Sequence, residues 1–249
     1  MKFVTKLAQA AIISGLLVTS LAAQVFAAPT LVSAMADLDQ IIIPVAVYSN
    51  QGKAEETKTA VSRLQAQWAL FSPAAREAFP GDTEWTMGLD KVDDSIAEVS
   101  RASERADWPQ VHEILESVRN TFEELRETRN IEYYLDGFSR YRRVLEKTTD
   151  NLTGKKASDL SDADINFVAS MVPTLKSTWV SVQAAHLDAA LFHFDSEKMA
   201  EIRLSMDAVR KNIEKLESAA AGGTRDQVIE ALNSLKPSLK KTFLMFGRF

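Results

Sequence analysis

Apolar residues recur along the chain at three- and four-residue spacing, which is typical of amphipathic α-helices. In residues 54–79, for example, one stripe holds Val61, Leu64, Trp68 and Phe71. Alternating strand patterns are few, and most glycines and prolines fall between the helical stretches. The pattern predicts an all-α fold of about eight helices. Their predicted starts lie near residues 31, 54, 83, 108, 131, 162, 196 and 225.

Capping residues and helix breakers mark the predicted helix ends. Pro44 lies inside the first predicted helix and should kink it or end it early. Aspartate or a hydroxyl residue before a helix can accept a hydrogen bond from its first turn. The candidate N-caps are Asp82 or Thr83, Asp107, and Asp195 or Ser196.

One stretch of the chain occurs twice. Residues 89–122 align without a gap on residues 206–239, a shift of 117, and nine of the 34 pairs are identical. Further upstream, Leu64 and Trp68 repeat as Leu175 and Trp179 at a shift of 111. The difference, 117 − 111 = 6, places six extra residues in the second copy, before residue 206. We interpret this as a tandem duplication of a four-helix unit, forming a helical bundle protein.

Residues 151–161 lie in the longest polar stretch and are the predicted linker between the halves. The first helical unit is then 28–150 and the second 162–249. The two units could form separate bundles side by side, or exchange helices into one longer array. The sequence leaves both packings open.

Residues 1–27 have the pattern of an export signal. Lys2 and Lys6 precede an apolar run, and Val25-Phe26-Ala27 offers small residues before a cleavage site. The alternative is an uncleaved N-terminal anchor. No later run has the length and apolarity that we expect of a membrane span. Export together with the absence of cysteine indicates a bacterial periplasm.

The charge and the missing cysteines exclude several classes of function. The net charge is −5, and removing the two lysines of the signal makes it −7, which argues against nucleic-acid binding. The lack of cysteine excludes Cys-ligated zinc, iron–sulfur clusters and covalent haem attachment.

Three histidines are the candidate metal ligands. His112 and Glu116 have i,i+4 spacing, with Glu113 beside them, so they could supply two ligands. His186 and His193 lie in or near the six extra residues, about 10.5 Å apart on a continuous helix. That distance is too long for one ion unless the helix breaks. The competing interpretation is a solvent-facing polar pair and two histidines at a helix interface.

A b-type haem is a further option for a four-helix bundle, with His186 or His193 opposite a methionine. Methionines on an apolar stripe more often fill a core than bind a cofactor. The chain has no Gly-x-Ser-x-Gly, His-Glu-x-x-His or phosphate-loop motif, so we predict a non-enzymatic protein. The candidate methionines are Met171, Met199 and Met206.

Two sets of residues suggest contacts between helices or with a partner. Because the duplication repeats Asp90 as Asp207 and matches Arg119 with Lys236, we predict an inter-helix ion pair in each half. The alternative is an acidic ligand in each half. The second set, at the densest aromatic cluster, predicts a partner-binding face or a pocket wall, with a core helix as the alternative. It comprises Tyr133, Tyr134 and Arg142.

Three short runs resemble a group of uncharacterised exported helical proteins of proteobacteria. They cover roughly a fifth of the chain and imply an exported helical fold but no particular activity. In that group a histidine follows the tyrosine–aspartate motif, whereas residues 139–146 here contain none. The architecture is also similar to cytochrome b562-like bundles, without a secure pair of haem ligands. The runs are His112-Glu113-x-Leu115-Glu116-x-Val118-Arg119, Glu124-Leu125-Arg126 and Tyr133-Tyr134-x-Asp136.

These observations favour a periplasmic binding or accessory protein that holds a metal ion or a small ligand. It could pass that ligand to a membrane or envelope protein. The alternative is a structural or interaction module of an envelope complex. The oligomeric state is not predicted.

Overall fold

The computed structural model describes the backbone of residues 19–249 and the side chains from residue 31 onward. These residues form eight α-helices and two short 3₁₀ turns, without a strand among them, which confirms the predicted all-α fold. In chain order the helices are α1 (Thr19–Asn50), α2 (Ala54–Ala78), α3 (Thr83–Glu104), α4 (Trp108–Glu127), α5 (Tyr134–Thr149), α6 (Asp162–Ala184), α7 (Ser196–Gly222) and α8 (Arg225–Leu244).

The predicted N-caps form as the sequence indicated. Asp82 accepts a hydrogen bond from the backbone N–H of Trp85 at 2.9 Å, which satisfies a free donor in the first turn of α3. Asp107 and Asp195 cap α4 and α7 in the same way. Pro44, in contrast, does not end α1, which continues to Asn50.

Helix α1 is more apolar than the sequence interpretation allowed. Within the described residues, Leu31–Asn50 is the one helical stretch long and apolar enough, by length and composition, to cross a membrane. Because this stretch is the one candidate among those residues and lies near the N-terminus, it is compatible with the prediction of no transmembrane segment after signal cleavage. In this structure 56% of the stretch is buried in the protein, and it packs against α2 and α4. An apolar helix near the N-terminus fits a signal sequence or a core helix, and the predicted signal and cleavage site, residues 1–27, lie outside the described side chains.

The eight helices form two closed four-helix bundles. In the first, α1 and α3 each contact both α2 and α4. In the second, α6 and α8 each contact both α5 and α7. Of the two packings that the sequence left open, the structure has two bundles side by side.

The connection between the bundles lies earlier than the predicted linker. Residues 151–161 join α5 to α6, two helices that pack against each other within the second bundle. The bundles are instead connected by residues 128–133, between α4 and α5. The polar composition of 151–161 misled the prediction because a loop inside a bundle can be as polar as a linker. Leu152 and Leu160 of this loop are buried.

The duplication is visible in the burial pattern. Helix α4, shifted by 117 residues, coincides with α8 at both ends. Each of the six buried apolar positions of α3 also corresponds to a buried apolar position of α7 at the same shift. The pairs are Trp85/Ile202, Leu89/Met206, Val92/Val209, Ile96/Ile213, Val99/Leu216 and Ala102/Ala219.

Two irregular segments attach the second bundle to α1. Residues 185–195, which we call the insertion, include the six extra residues of the second copy, and residues 245–249 form the C-terminal tail. Gln40 of α1 donates to the carbonyl of Phe192 in the insertion at 2.6 Å. The carbonyl of Gln40 accepts from the backbone N–H of Arg248 in the tail at 2.8 Å. Helix α1 therefore belongs to the first bundle and also anchors the second.

Candidate functional site

A cavity of about 280 Å³ lies where α1 and α4 face α5 and α8, and we call it the inter-bundle cavity. One wall is apolar. It is formed by buried side chains of α1 and α8, together with one aromatic ring from α5 and one from α8. The apolar wall includes Ile42, Ile43, Val47, Phe138, Leu239 and Phe243.

The lining of the cavity also carries charge. Four basic and two acidic side chains line it, which gives a net charge of +2 with His112 neutral. This sign is opposite to that of the whole chain, whose net charge is −5. The charged residues are Glu116 and Arg119 of α4, Arg142 and Glu146 of α5, and Lys236 and Lys240 of α8.

Glu116 is shared between two arginines. Its Oε2 lies 2.5 Å from Nη2 of Arg142, and its Oε1 lies 3.4 Å from Nη1 of Arg119. Arg119 is only 14% exposed and Arg142 30%, so both guanidinium groups are largely removed from water. The buried Nε of Arg142 has no hydrogen-bond partner in the structure. Glu116 therefore serves two partly desolvated cations, and Glu146 adds only a 3.9 Å contact to Arg142, so hydrogen-bond donors are left unused.

The position of Arg119 is fixed by further contacts. Its Nη2 donates to Oγ of Ser139 at 3.3 Å, and its guanidinium lies 4.5 Å from the ring centroid of Phe243. Stacking on an aromatic ring holds a guanidinium flat and keeps its edge available. Its duplicate position, Lys236, also lines the cavity, so each bundle contributes the same basic position.

The predicted metal ligands do not come together. His112 lines the inter-bundle cavity and its Nδ1 lies 3.2 Å from Nδ2 of Asn50, whereas Glu113 is exposed. His186 lines a different cavity, and His193 is exposed, with Nε2 at 3.0 Å from Asp37. Between residues 31 and 249, no group of three histidine, aspartate or glutamate side chains is arranged to hold a metal ion. The α-helix breaks after Ala184, which separates His186 and His193.

The predicted repeated ion pairs are wrong. Asp90 pairs with Arg76 of α2 at 2.7 Å, and Asp207 pairs with Arg210 of its own helix at 3.3 Å. The aspartates are 60% and 50% exposed, because they lie on the outer sides of α3 and α7. Their predicted partners, Arg119 and Lys236, line the cavity between the bundles instead.

The predicted partner face is mostly interior. Tyr133 is buried and its hydroxyl donates to Oδ2 of Asp39 at 2.8 Å. The hydroxyl of Tyr134 lies 3.4 Å from the sulfur of Met206, and burial raises the pKa of this tyrosine to about 12. Of the three predicted residues, Arg142 alone reaches the inter-bundle cavity. The tyrosines therefore pack against the core, and both also line the larger cavity described below, in agreement with the pocket-wall alternative.

The sequence analysis missed a buried charged network next to these tyrosines. Arg126 donates through both Nε and Nη2 to the carboxylate of Asp136, at 2.9 and 2.5 Å. The guanidinium of Arg126 also lies 4.4 Å from the ring centroid of Tyr133. Burial raises the pKa of Asp39 above its ordinary value, although Arg126 and the hydrogen bond from Tyr133 oppose that shift. Asp39 and Gln40 interrupt an otherwise apolar run, which was the available signal.

A second, larger cavity of about 1040 Å³ lies between the 128–133 connection, α5, α6 and the insertion. Its lining carries five acidic and two basic side chains, and some of the acidic ones are paired. Arg143 donates two hydrogen bonds to Glu123, both at 2.7 Å, and Asp136 is held by Arg126. It has neither the excess of cations nor the unused buried donor of the inter-bundle cavity, which is therefore the better candidate site.

Comparison with protein-family models, with curated proteins and with solved structures returns no match to this chain. The assignment of function depends on the geometry of the site.

Proposed function

We propose that the protein is an exported, non-enzymatic binding protein that holds a small organic ligand in the inter-bundle cavity. The observation that carries the proposal is the composition of the cavity, whose lining combines apolar side chains with partly desolvated charged groups. Sites for small molecules are typically apolar with a few well-placed polar groups, and they occur between the helices of bundles. The volume of about 280 Å³ suits a small ligand.

Location in the periplasm is part of the same proposal. It is supported by the signal-like residues 1–27 and by the lack of cysteine in the chain. A carrier in that compartment would exchange its ligand with a membrane or envelope protein.

The wall of the cavity favours an organic ligand over a metal ion. The carboxylate nearest to His112 on its own helix, Glu116, is in contact with two arginines. A carboxylate held by two guanidinium groups has little electron density left for a metal ion. One ring nitrogen of His112, Nδ1, is occupied by Asn50.

Native mass spectrometry of the protein isolated from its own periplasm tests this proposal. We expect a bound molecule that is released on unfolding. Ala46→Phe places a large ring in the cavity wall and should abolish the bound molecule. Ala34→Phe is the matched control, because Ala34 lies on the same helix, is similarly half-buried and does not line the cavity.

The proposal fails if the wild-type protein carries no small molecule and shows no thermal shift with anionic, neutral or cationic alkyl probes. It also fails if a bound molecule survives Ala46→Phe, since the ligand would then lie elsewhere.

A further inference from the structure

From the charge distribution of the inter-bundle cavity we infer that its ligand is a small anionic amphiphile, namely a single carboxylate head on a short apolar chain. This inference depends on the proposed function and names the class of its ligand. Three features of the cavity carry it: the excess of positive charge, the unused donors and the apolar wall.

The excess of positive charge excludes cationic ligands and disfavours neutral ones. Four basic and two acidic side chains line a partly closed space, and one of the cations, Lys236, also pairs with Asp150 at 3.6 Å. One of the four, Lys240, has no salt bridge to any residue in the described part of the chain. A bound anion would lower the electrostatic cost of holding these cations close together.

The type of donor selects the head group. Arg119 and Arg142 share the carboxylate of Glu116, and Nη1 of Arg142 also lies 3.9 Å from Glu146. Each guanidinium offers five N–H donors in a planar fork, which is more than these carboxylates use. The unpartnered Nε of Arg142 shows that the protein itself does not satisfy the fork. A carboxylate matches that fork with two parallel hydrogen bonds.

The apolar wall selects the rest of the ligand. Ile42, Ile43 and Leu239 are buried and offer no polar side-chain atom to a ligand. An alkyl chain placed against them gains roughly 0.8 kcal/mol for each buried CH₂ group. An inorganic anion would leave this wall uncovered.

The volume sets the size of the ligand. A cavity of about 280 Å³ holds about nine water molecules at ~30 Å³ each. That space suits a short-chain or medium-chain carboxylate and is too small for a two-chain phospholipid.

Three probes with the same alkyl chain test the inference by isothermal titration calorimetry on the full mature chain. They are octanoate, octanol and octyltrimethylammonium. We expect octanoate to bind at least about tenfold tighter than octanol, because its head adds charge-assisted hydrogen bonds. We expect no binding of the ammonium probe, and a weaker affinity for octanoate in high salt.

Two matched lysine variants test whether the cavity lysine Lys240 contributes to binding of the anionic head group. Lys240→Gln should weaken octanoate binding by about 3- to 10-fold and leave octanol unchanged. Lys241→Gln is the control, since Lys241 is adjacent, exposed and not part of the cavity wall. Arg142→Lys keeps a positive charge for Glu116 but removes the fork, and should cost about tenfold. Lys240 is exposed, so its variant folds even if the arginine variant does not.

The outcomes separate the inference from the proposed function. Equal affinity for all three probes, a preference for the ammonium probe, or equal effects of Lys240→Gln and Lys241→Gln would overturn the anionic class. A bound natural ligand that is neutral or cationic would do so as well, while the proposed binding function would stand. If no probe binds and no natural ligand is found, both are wrong.

Discussion

Asp39 is a buried carboxylate within an apolar helix. Its contribution to the folding stability of the protein should therefore depend on pH. Burial raises its pKa in the folded protein above the ordinary value of 3.8. The folded state then binds the proton more tightly than the unfolded state does. The contribution of Asp39 to stability is therefore complete below about pH 3.8 and is lost as pH rises through the folded pKa.

The substitution Asp39→Asn tests this assignment. Asparagine keeps the shape and can accept the hydrogen bond from Tyr133, but it carries no charge. We expect Asp39→Asn to match the wild type near pH 3.8 and to be more stable at pH 7, as measured by urea unfolding across that range.

The substitution Asp39→Ala separates the effect of the buried charge on stability from the effect of the hydrogen bond with Tyr133. It removes the acceptor and leaves the buried hydroxyl of Tyr133 unpaired, so it should cost about 1–3 kcal/mol even at low pH. A wild type that is more stable than Asp39→Asn at pH 7 would show that attraction to Arg126 outweighs burial.

At the scale of elements, the insertion is best understood as a docking segment. Its Phe192 is buried, and the centroid of its ring lies 5.1 Å from that of Phe246 in the tail and 6.3 Å from that of Tyr133 in the 128–133 connection. His193 adopts a positive φ of 55°, which turns the chain so that its ring meets Asp37 of α1. The six extra residues of the second copy thus link that copy to α1.

Gln40→Ala should release this docking. The side chain of Gln40 donates to the carbonyl of Phe192 and accepts from Arg248 at 2.5 Å. Alanine therefore leaves the buried carbonyl of Phe192 unsatisfied and removes one contact of the exposed Arg248. We expect a loss of about 1–3 kcal/mol in unfolding free energy. Hydrogen exchange should also become faster in residues 190–194.

The exposed Gln65 of α2 provides the control for this prediction. Gln65→Ala should change stability by less than about 0.5 kcal/mol. Unchanged exchange in the insertion of Gln40→Ala would show that Phe192 alone holds the segment.

The elements were predictable from sequence because helix formation follows local rules. Stripe spacing predicted the helices. Residue type alone identified the N-cap Asp107 and narrowed the N-caps of α3 and α7 to two candidates each, of which Asp82 and Asp195 are the caps. The self-alignment likewise identified the α3–α4 hairpin and its copy, because their buried positions repeat.

The site was only partly predictable because it depends on how the bundles pack. His112, Glu116, Arg119, Arg142 and Lys236 were each singled out from the sequence, but under three separate interpretations. These residues line one cavity because α5 belongs to the second bundle and packs beside α8. Residue spacing does not show to which bundle a helix belongs. For the same reason, Asp90 and Asp207 were paired with residues that face another direction.

At the scale of the whole molecule, the two bundles share one interior. Buried apolar side chains from both form one contiguous cluster. Arg143 and Glu123 join α5 to α4 across the boundary with two hydrogen bonds of 2.7 Å. Helix α1 adds hydrogen bonds to the insertion and the tail. A cavity built from both bundles is only as rigid as this shared interior.

We therefore expect the bundles to unfold as one cooperative unit. Leu64→Ala in α2 and Leu216→Ala in α7 each remove a fully buried side chain and should each cost about 2–5 kcal/mol. If the bundles are coupled, each variant lowers the urea midpoint of both bundles equally. Pulsed hydrogen exchange resolved to peptides of α2 and α6 measures the two midpoints separately. If Leu216→Ala shifted the midpoint of α6 and left that of α2 unchanged, the bundles would be independent domains, and the cavity between them could open without either bundle unfolding.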